Sequence, residues 1–148
     1  MLPGLERARM NHEEELIKAF FVPTKRERYL DMVANPKKRK KFLNELYHFK
    51  ALDPRCFVSI PPSQQDPEQI ASILTKKGAP RSCWVTSTEA ELDGKEMLLS
   101  KALKEVVGRQ IGAFLSCIPG KLAYFEGEER GDRWILERRN GPLKGRSG

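Results

Sequence analysis

Apolar residues recur at the spacing of one helix face through the first third of the chain. Three such segments follow one another, with apolar positions at Leu16, Ala19 and Phe20, then Tyr29, Leu30 and Val33, and then Phe42, Leu43, Leu46 and Phe49. Glutamates at the start of the first segment suit the positive end of a helix dipole. The pattern predicts that residues 10–50 are helical.

The chain then changes to short β-rich runs with a helix between them. CFVSI at 56–60 and SCWVTST at 82–88 are typical of strands. Between them, DPEQ at 66–69 is typical of a helix start, with a capping aspartate before a proline, as Asn35 stands before Pro36 further upstream. A connection of about 20 residues suits a right-handed βαβ unit, so the two strands are predicted to be parallel.

The last third predicts one more helix and an antiparallel meander. LLSKALKEVVG is typical of a helix that ends at Gly108. GAFLSCI and KLAYFEGE flank Pro119 and Gly120, which favours a hairpin, and RWILER follows as the last strand. Residues 111–138 are therefore predicted to form the meander.

These elements predict a single α+β domain over residues 1–139. A helical N-terminal layer over 10–50 precedes, over 56–138, a mixed sheet of about five strands with two helices. The sheet combines one βαβ unit with the antiparallel meander. Residues 140–148 are rich in glycine and basic residues and are predicted to be a flexible tail.

The composition predicts a soluble globular protein. Of 148 residues, 39% are apolar and 32% are charged, which is enough for one domain with a core. No apolar run approaches the ~20 residues that span a bilayer, and the N-terminal residues lack the apolar stretch of a secretory signal. The expectation is a cytoplasmic protein with no membrane partner.

The three cysteines are predicted to be buried free thiols. Cys56, Cys83 and Cys117 are odd in number, widely spaced and beside apolar runs, which disfavours both a disulfide framework and a zinc cluster. Cys117, before a turn in SCIPG, is the candidate if one thiol is reactive. Neither His12 nor His48 lies beside a cysteine in the sequence, so no Cys–His catalytic pair is indicated.

Positive charge is concentrated in one segment. The net charge is +7, and the stretch between Thr24 and Lys41 alone carries eight basic residues against Glu27 and Asp31. A local excess of this size attracts polyanions. The predicted anion-binding residues are Lys25, Arg26, Arg28, Lys37, Lys38, Arg39, Lys40 and Lys41.

Three of these cations occupy the first turn of a predicted helix, where they oppose its dipole by about 0.3–1 kcal/mol per charge. Lys37, Lys38 and Arg39 could hold an anion together with the free backbone N–H groups, or they could form a solvated face. If they serve binding, replacing all three should weaken it and leave the fold intact. The segment lacks the interleaved aromatic residues of a single-strand binding platform.

No catalytic or metal-binding motif is complete. EAELDG at 89–94 matches the front of a calcium loop, but Ser100 stands where the essential twelfth-position glutamate would be. Ligands in α/β sheets often lie beyond the carboxyl ends of parallel strands. The candidate cleft there comprises Ser63, Gln64, Gln65, Ser87, Thr88 and Glu89.

The leading interpretation is a binding protein that contacts nucleic acid or an acidic protein through its basic N-terminal helices. The first alternative is a small enzyme with a polar site at the ends of the parallel strands. The second is an oligomerisation module whose apolar helix ELIKAFFV pairs with another chain. No cofactor or metal is predicted.

Overall fold

A six-stranded sheet forms the middle of the protein in a computed structural model that describes residues 4–138. The strands are β1 (Phe57–Val58), β2 (Ser82–Ser87), β3 (Lys95–Leu98), β4 (Ala113–Ile118), β5 (Leu122–Glu126) and β6 (Arg133–Glu137). Their order is β1-β6-β5-β4-β2-β3, and every neighbouring pair is antiparallel.

Helices cover both faces of this sheet, which confirms the α+β class. They are α1 (Gly4–Phe20), α2 (Pro23–Ala34), α3 (Pro36–Asn44), α4 (Pro67–Lys76) and α5 (Leu99–Val106). Short 3-10 turns cover Glu45–His48, Pro54–Cys56 and Pro62–Gln64. No helix in the described part of the chain combines the length and the apolar character needed to cross a bilayer.

Two hydrophobic cores lie on opposite faces of the sheet because successive strand residues point to opposite sides. Phe114 and Phe125, which are register partners, pack with α1, α2 and α3. Leu115 and Tyr124, the next pair along, pack with α4 and α5. The helical N-terminal layer therefore covers one face, and the two later helices cover the other.

The two predicted helix starts that use a capping side chain and a proline are confirmed. The side chain of Asn35 accepts a hydrogen bond of 3.0 Å from the backbone N–H of Lys37. That of Asp66 accepts one of 2.8 Å from the N–H of Gln69. Each cap satisfies a helix-terminal donor that would otherwise have no partner within the helix.

The predicted parallel βαβ unit is wrong, and the sheet is antiparallel rather than mixed. β1 pairs with β6, through Phe57 with Leu136, whereas β2 lies between β3 and β4. β1 and β2 do point the same way, but β6, β5 and β4 separate them. β1 has only two residues and can add little to the ladder, so it occupies an edge while the longer meander strands fill the centre.

The meander predicted over 111–138 is confirmed by the pairing of β4 with β5 and of β5 with β6. β3 is an addition to the predicted strands. The residues of β3, KEML, are mostly exposed and show no clear alternation of apolar and polar positions. The sequence around them therefore favoured a polar loop. The predicted tail at 140–148 lies outside the described residues.

Candidate anion-binding surface

The predicted cations lie on an antiparallel pair of helices, α2 and α3, which we call the basic hairpin. Lys38 Nζ lies 2.6 Å from Asp31 Oδ2, and Arg28 Nη2 lies 2.6 Å from Glu45 Oε2. Because the partners run in opposite order along the chain, the two helices are antiparallel. Tyr29 Oη also donates to Glu45, at 2.6 Å, which fixes the open end of the hairpin.

Six of the eight predicted cations are exposed, namely Lys25, Arg28, Lys37, Lys38, Lys40 and Lys41. The pairs of Arg28 and Lys38 lie at the surface, where an ion pair is worth about 0–1 kcal/mol and yields readily to another anion. The remaining four, all lysines, form no ion pair with any side chain among residues 4–138. The basic hairpin thus presents a positive surface that other protein groups neutralise only in part.

Arg39 belongs to the interior instead. Its side chain is 15% exposed and lies between Glu13 of α1 and Asp93 of the loop before β3. Nη2 donates to Glu13 Oε2 at 2.5 Å and to Asp93 Oδ1 at 3.0 Å, and Nη1 donates to Asp93 Oδ2 at 2.5 Å. Desolvation acts to lower the pKa of Arg39, but the hydrogen bonds to both carboxylates outweigh it and raise the pKa.

Glu13 is the centre of this buried network, with 1% of its surface exposed. Oε1 accepts from Arg9 at 3.2 Å, and Oε2 accepts from Thr86 Oγ1 at 2.8 Å and from Trp84 Nε1 at 3.4 Å, in addition to Arg39. A buried carboxylate requires such donors to offset the loss of water. The network joins α1, α3 and β2. The position of Arg39 near the start of α3 is therefore explained by this network, without an external anion.

The last residue of the predicted set, Arg26, is not one of the exposed cations. It is half-buried, and its Nε donates to the carbonyl oxygen of Phe21 at 2.9 Å. The predicted set of eight therefore divides into six surface cations, one largely buried structural cation at Arg39 and one half-buried cation at Arg26.

A cleft of about 320 Å³ opens at the end of the basic hairpin. Lys25 and Arg28 line it from α2, and His48 and Lys50 line it from the segment that follows α3. The guanidinium of Arg28 lies 5.0 Å above the ring of Tyr29, a cation–π contact that orients it. Through Lys50 the cleft extends the positive surface. Lys50 was not among the predicted cations because it lies outside the segment between Thr24 and Lys41.

The six residues of the candidate cleft at the strand ends do not come together. Gln65 lies beside β6, where it donates to Ile60 O at 2.9 Å and accepts from Arg133 at 3.1 Å. Ser87 ends β2, and its Oγ accepts from the N–H of Glu89 at 3.0 Å. Four strand spacings of ~4.8 Å separate β1 from β2, or roughly 19 Å. The others of the set, Ser63, Gln64 and Thr88, follow the same division between the two loops.

The apolar face of ELIKAFFV is part of the first core, so it offers no free surface for pairing with another chain. Leu16, Ile17, Phe20 and Phe21 are each 1% exposed or less. The packing therefore gives no support to pairing with another chain through this helix face.

The histidines and the acidic loop also have structural partners. His12 Nδ1 lies 2.7 Å from Ser116 Oγ, and its ring stacks on Trp84 with centroids 6.0 Å apart. Asp93, in the calcium-like loop, is held by Arg39 and by the N–H of Ser87. Across residues 4–138, no group of three His, Cys, Asp or Glu side chains is placed to hold a metal ion.

The cysteines give a direct test of the packing. Cys83 and Cys117 are 2% and 3% exposed, and burial raises the pKa of each thiol, that of Cys117 to about 12. Because the thiolate is the reactive form, both should react slowly with a thiol reagent in the folded protein and rapidly after denaturation. Cys56 is half-buried and should react first. Mass spectrometry of the alkylated protein checks the order, and a fast native reaction at Cys117 would contradict it.

Comparisons with models of protein families, with curated proteins and with solved structures gave no match.

Proposed function

We propose that the protein binds a phosphate-bearing polymer, with double-stranded nucleic acid as the expected partner, through the basic hairpin. The observation that carries this proposal is that Lys25, Lys37, Lys40 and Lys41 are exposed together on the hairpin and form no ion pair with a described side chain. Charge of one sign that the protein does not neutralise itself favours an anionic partner.

The kind of cation supports backbone contact rather than recognition of sequence. Lysine is a flexible point charge that meets phosphates in many geometries, and such contacts supply most non-specific affinity for nucleic acid. The rings of Tyr29 and Phe42 are buried, and the exposed rings of the adjoining 3-10 turn are confined to Tyr47, at 44%, and the neighbouring His48. A stacking platform for single strands needs several such rings, so the surface suits a duplex better.

Binding to a labelled DNA or RNA duplex, measured by fluorescence anisotropy, should be strongly salt-dependent. About five phosphate contacts predict a slope of log K against log salt concentration of about −4.5 for duplex DNA. The absence of binding at low salt, or a slope near zero, would show that the lysines are only a solvated surface.

An acidic protein is the second candidate partner, because the same lysines attract carboxylates. A competition at constant ionic strength separates the two. If poly-glutamate displaces the duplex at equal charge concentration, the surface recognises anionic charge in general, whereas a preference for the duplex supports phosphate.

We expect this binding to take place in the cytoplasm, where unpaired thiols such as those of the three cysteines persist.

A further inference from the structure

A second cluster of cations lies at the edge of the sheet where β1 pairs with β6. A pocket of about 370 Å³ opens there, and three arginines line it: Arg26 from the first turns of α2, Arg55 from just before β1 and Arg138 from just after β6. We call it the arginine pocket. None of the four unpaired lysines of the basic hairpin lines it.

Two of the three arginines are held in place by hydrogen bonds that use only part of the guanidinium group. Arg26 uses Nε to donate to Phe21 O at 2.9 Å. Arg55 uses Nε and Nη2 to donate to the carboxylate of Asp53, with a closest distance of 2.7 Å. Each keeps other N–H groups for a ligand. Arg138 forms no side-chain hydrogen bond or ion pair with residues 4–138, so no group in this part of the chain occupies its guanidinium.

The carboxylates around the pocket are already paired. Asp53 is bound by the side chain and the backbone N–H of Arg55. Glu137 Oε1 accepts from Lys77 Nζ at 2.7 Å, and Lys77 lies outside the lining. The three arginines and Lys77 outnumber the two carboxylates by two positive charges, so the pocket keeps a net positive potential.

We propose that the arginine pocket binds a phosphate group, as a site separate from the basic hairpin. Guanidinium groups present paired N–H donors that match the spacing of phosphate oxygens, and their positive charge is not lost at any physiological pH. Three arginines that line one pocket provide more donors than the described part of the protein uses. The phosphate could belong to a small phosphomonoester or to a nucleic-acid backbone.

Cys56 supplies a built-in reporter of occupancy because this residue lines the same pocket, where its thiol donates to the carbonyl oxygen of Ala19 at 3.6 Å. Burial raises the pKa of Cys56 and the nearby Asp53 raises it further, while the charges of Arg55, Arg138 and Arg26 act in the opposite direction. A bound phosphate would cover the thiol and cancel the effect of the arginines. Both changes reduce the fraction of reactive thiolate, so occupancy should slow alkylation.

The test measures alkylation of Cys56 by iodoacetamide in inorganic phosphate and in sodium chloride of equal ionic strength. At about ten times the Kd of phosphate we expect alkylation about tenfold slower, since only the free protein reacts readily. Arg138→Gln should abolish this protection. Arg109→Gln, which removes an exposed arginine in the turn after α5, is the control and should retain it. The proposal would be overturned if Cys56 were alkylated at the same rate in phosphate and in chloride. It would also be overturned if phosphate slowed the alkylation of Arg138→Gln as much as that of the wild-type protein.

A thermal unfolding experiment gives a second readout that does not depend on the thiol. Phosphate should raise Tm more than chloride at equal ionic strength, and Arg26→Lys, which keeps the charge but loses the planar fork, should reduce the difference. The variant Lys37→Gln/Lys40→Gln/Lys41→Gln should keep the full effect, and its loss there would overturn the independence of the two sites. Absence of any phosphate-specific stabilisation in the wild-type protein would overturn the site itself.

Competition identifies the source of the phosphate. If a nucleoside monophosphate protects Cys56 at concentrations where a duplex of equal phosphate content does not, the ligand is a small phosphomonoester. If the duplex protects, including in the triple lysine variant, the pocket holds a backbone phosphate. Both results support the proposal, and failure of both ligands to protect Cys56 would contradict it whatever the basic hairpin binds.

Discussion

Replacing Arg39 by methionine is expected to lower the free energy of unfolding by about 3–5 kcal/mol, the usual cost of removing one partner from a buried ion pair. Methionine keeps much of the side-chain length but leaves Asp93 without its cation and Glu13 with Arg9 as its one remaining ion-pair partner among the described residues. Glu13 is the more sensitive of the two because it is almost fully buried. The loss should therefore come from uncompensated buried charge rather than from a cavity.

Lys40→Met is the matched control, since Lys40 is the next residue along α3, is exposed and has no ion pair with a described side chain. It should change the free energy of unfolding by no more than about 0.5 kcal/mol. Urea denaturation followed by circular dichroism measures both variants. Similar values for Arg39→Met and Lys40→Met would mean that the network around Glu13 contributes little, and would return Arg39 to the set of surface cations.

Helices and the meander could be predicted from the sequence because their signals are local. Apolar spacing of three and four residues marks α1 to α3, and caps such as Asn35 and Asp66 mark two helix starts directly. The turn at Pro119 and Gly120 likewise marks the hairpin between β4 and β5. Each signal depends on residues that are close together in the sequence, so it can be recognised without knowledge of the tertiary packing.

Strand order could not be predicted because it depends on long-range competition. The connection between the strands at 57–58 and 82–87 is long enough for a parallel crossover, but it is also long enough to carry the chain past three other strands. The deciding difference is that β4 and β5 are almost entirely buried on both faces and occupy the centre, while β1 offers two half-buried residues. The candidate cleft was inferred from that parallel pair, so the prediction that its six residues lie together was wrong as well.

The charge count found the basic hairpin but treated its cations as equivalent. Glu13 precedes Leu16, Ile17 and Phe20 by three, four and seven residues, which places it on the buried face of α1. A carboxylate on that face indicates a buried cation partner, and this signal was available. That the partner is Arg39, together with Asp93, could not be read from the sequence, since the three residues come from separate segments.

The arginine pocket could not be predicted for the same reason. Arg26, Arg55 and Arg138 are separated by long stretches of sequence and are brought together only by the pairing of β1 with β6 and the packing of α2 beside them. Arg26 was in the predicted basic set, but the other two lay outside the charged segment.

The second large effect concerns polyanion binding by the basic hairpin. Lys37→Gln, Lys40→Gln and Lys41→Gln together should flatten the slope of log K against log salt by up to about 2.7, at about 0.9 for each lost phosphate contact on a DNA duplex. The three residues are exposed and unpaired within the described chain, so the fold should be unchanged. Removal of Lys37 even relieves a charge that opposes the dipole of α3.

The comparison that tests the central claim most directly sets this variant against Lys76→Gln/Lys101→Gln/Lys104→Gln. The control loses the same charge from exposed positions on α4 and α5, on the opposite face of the sheet. With both proteins shown to be folded, duplex binding is measured across the same series of salt concentrations. A basic hairpin that binds phosphate predicts a flattened slope and weaker binding in the first variant only, with the control close to the wild-type protein. Equal loss in both variants, or none in the first, would contradict it.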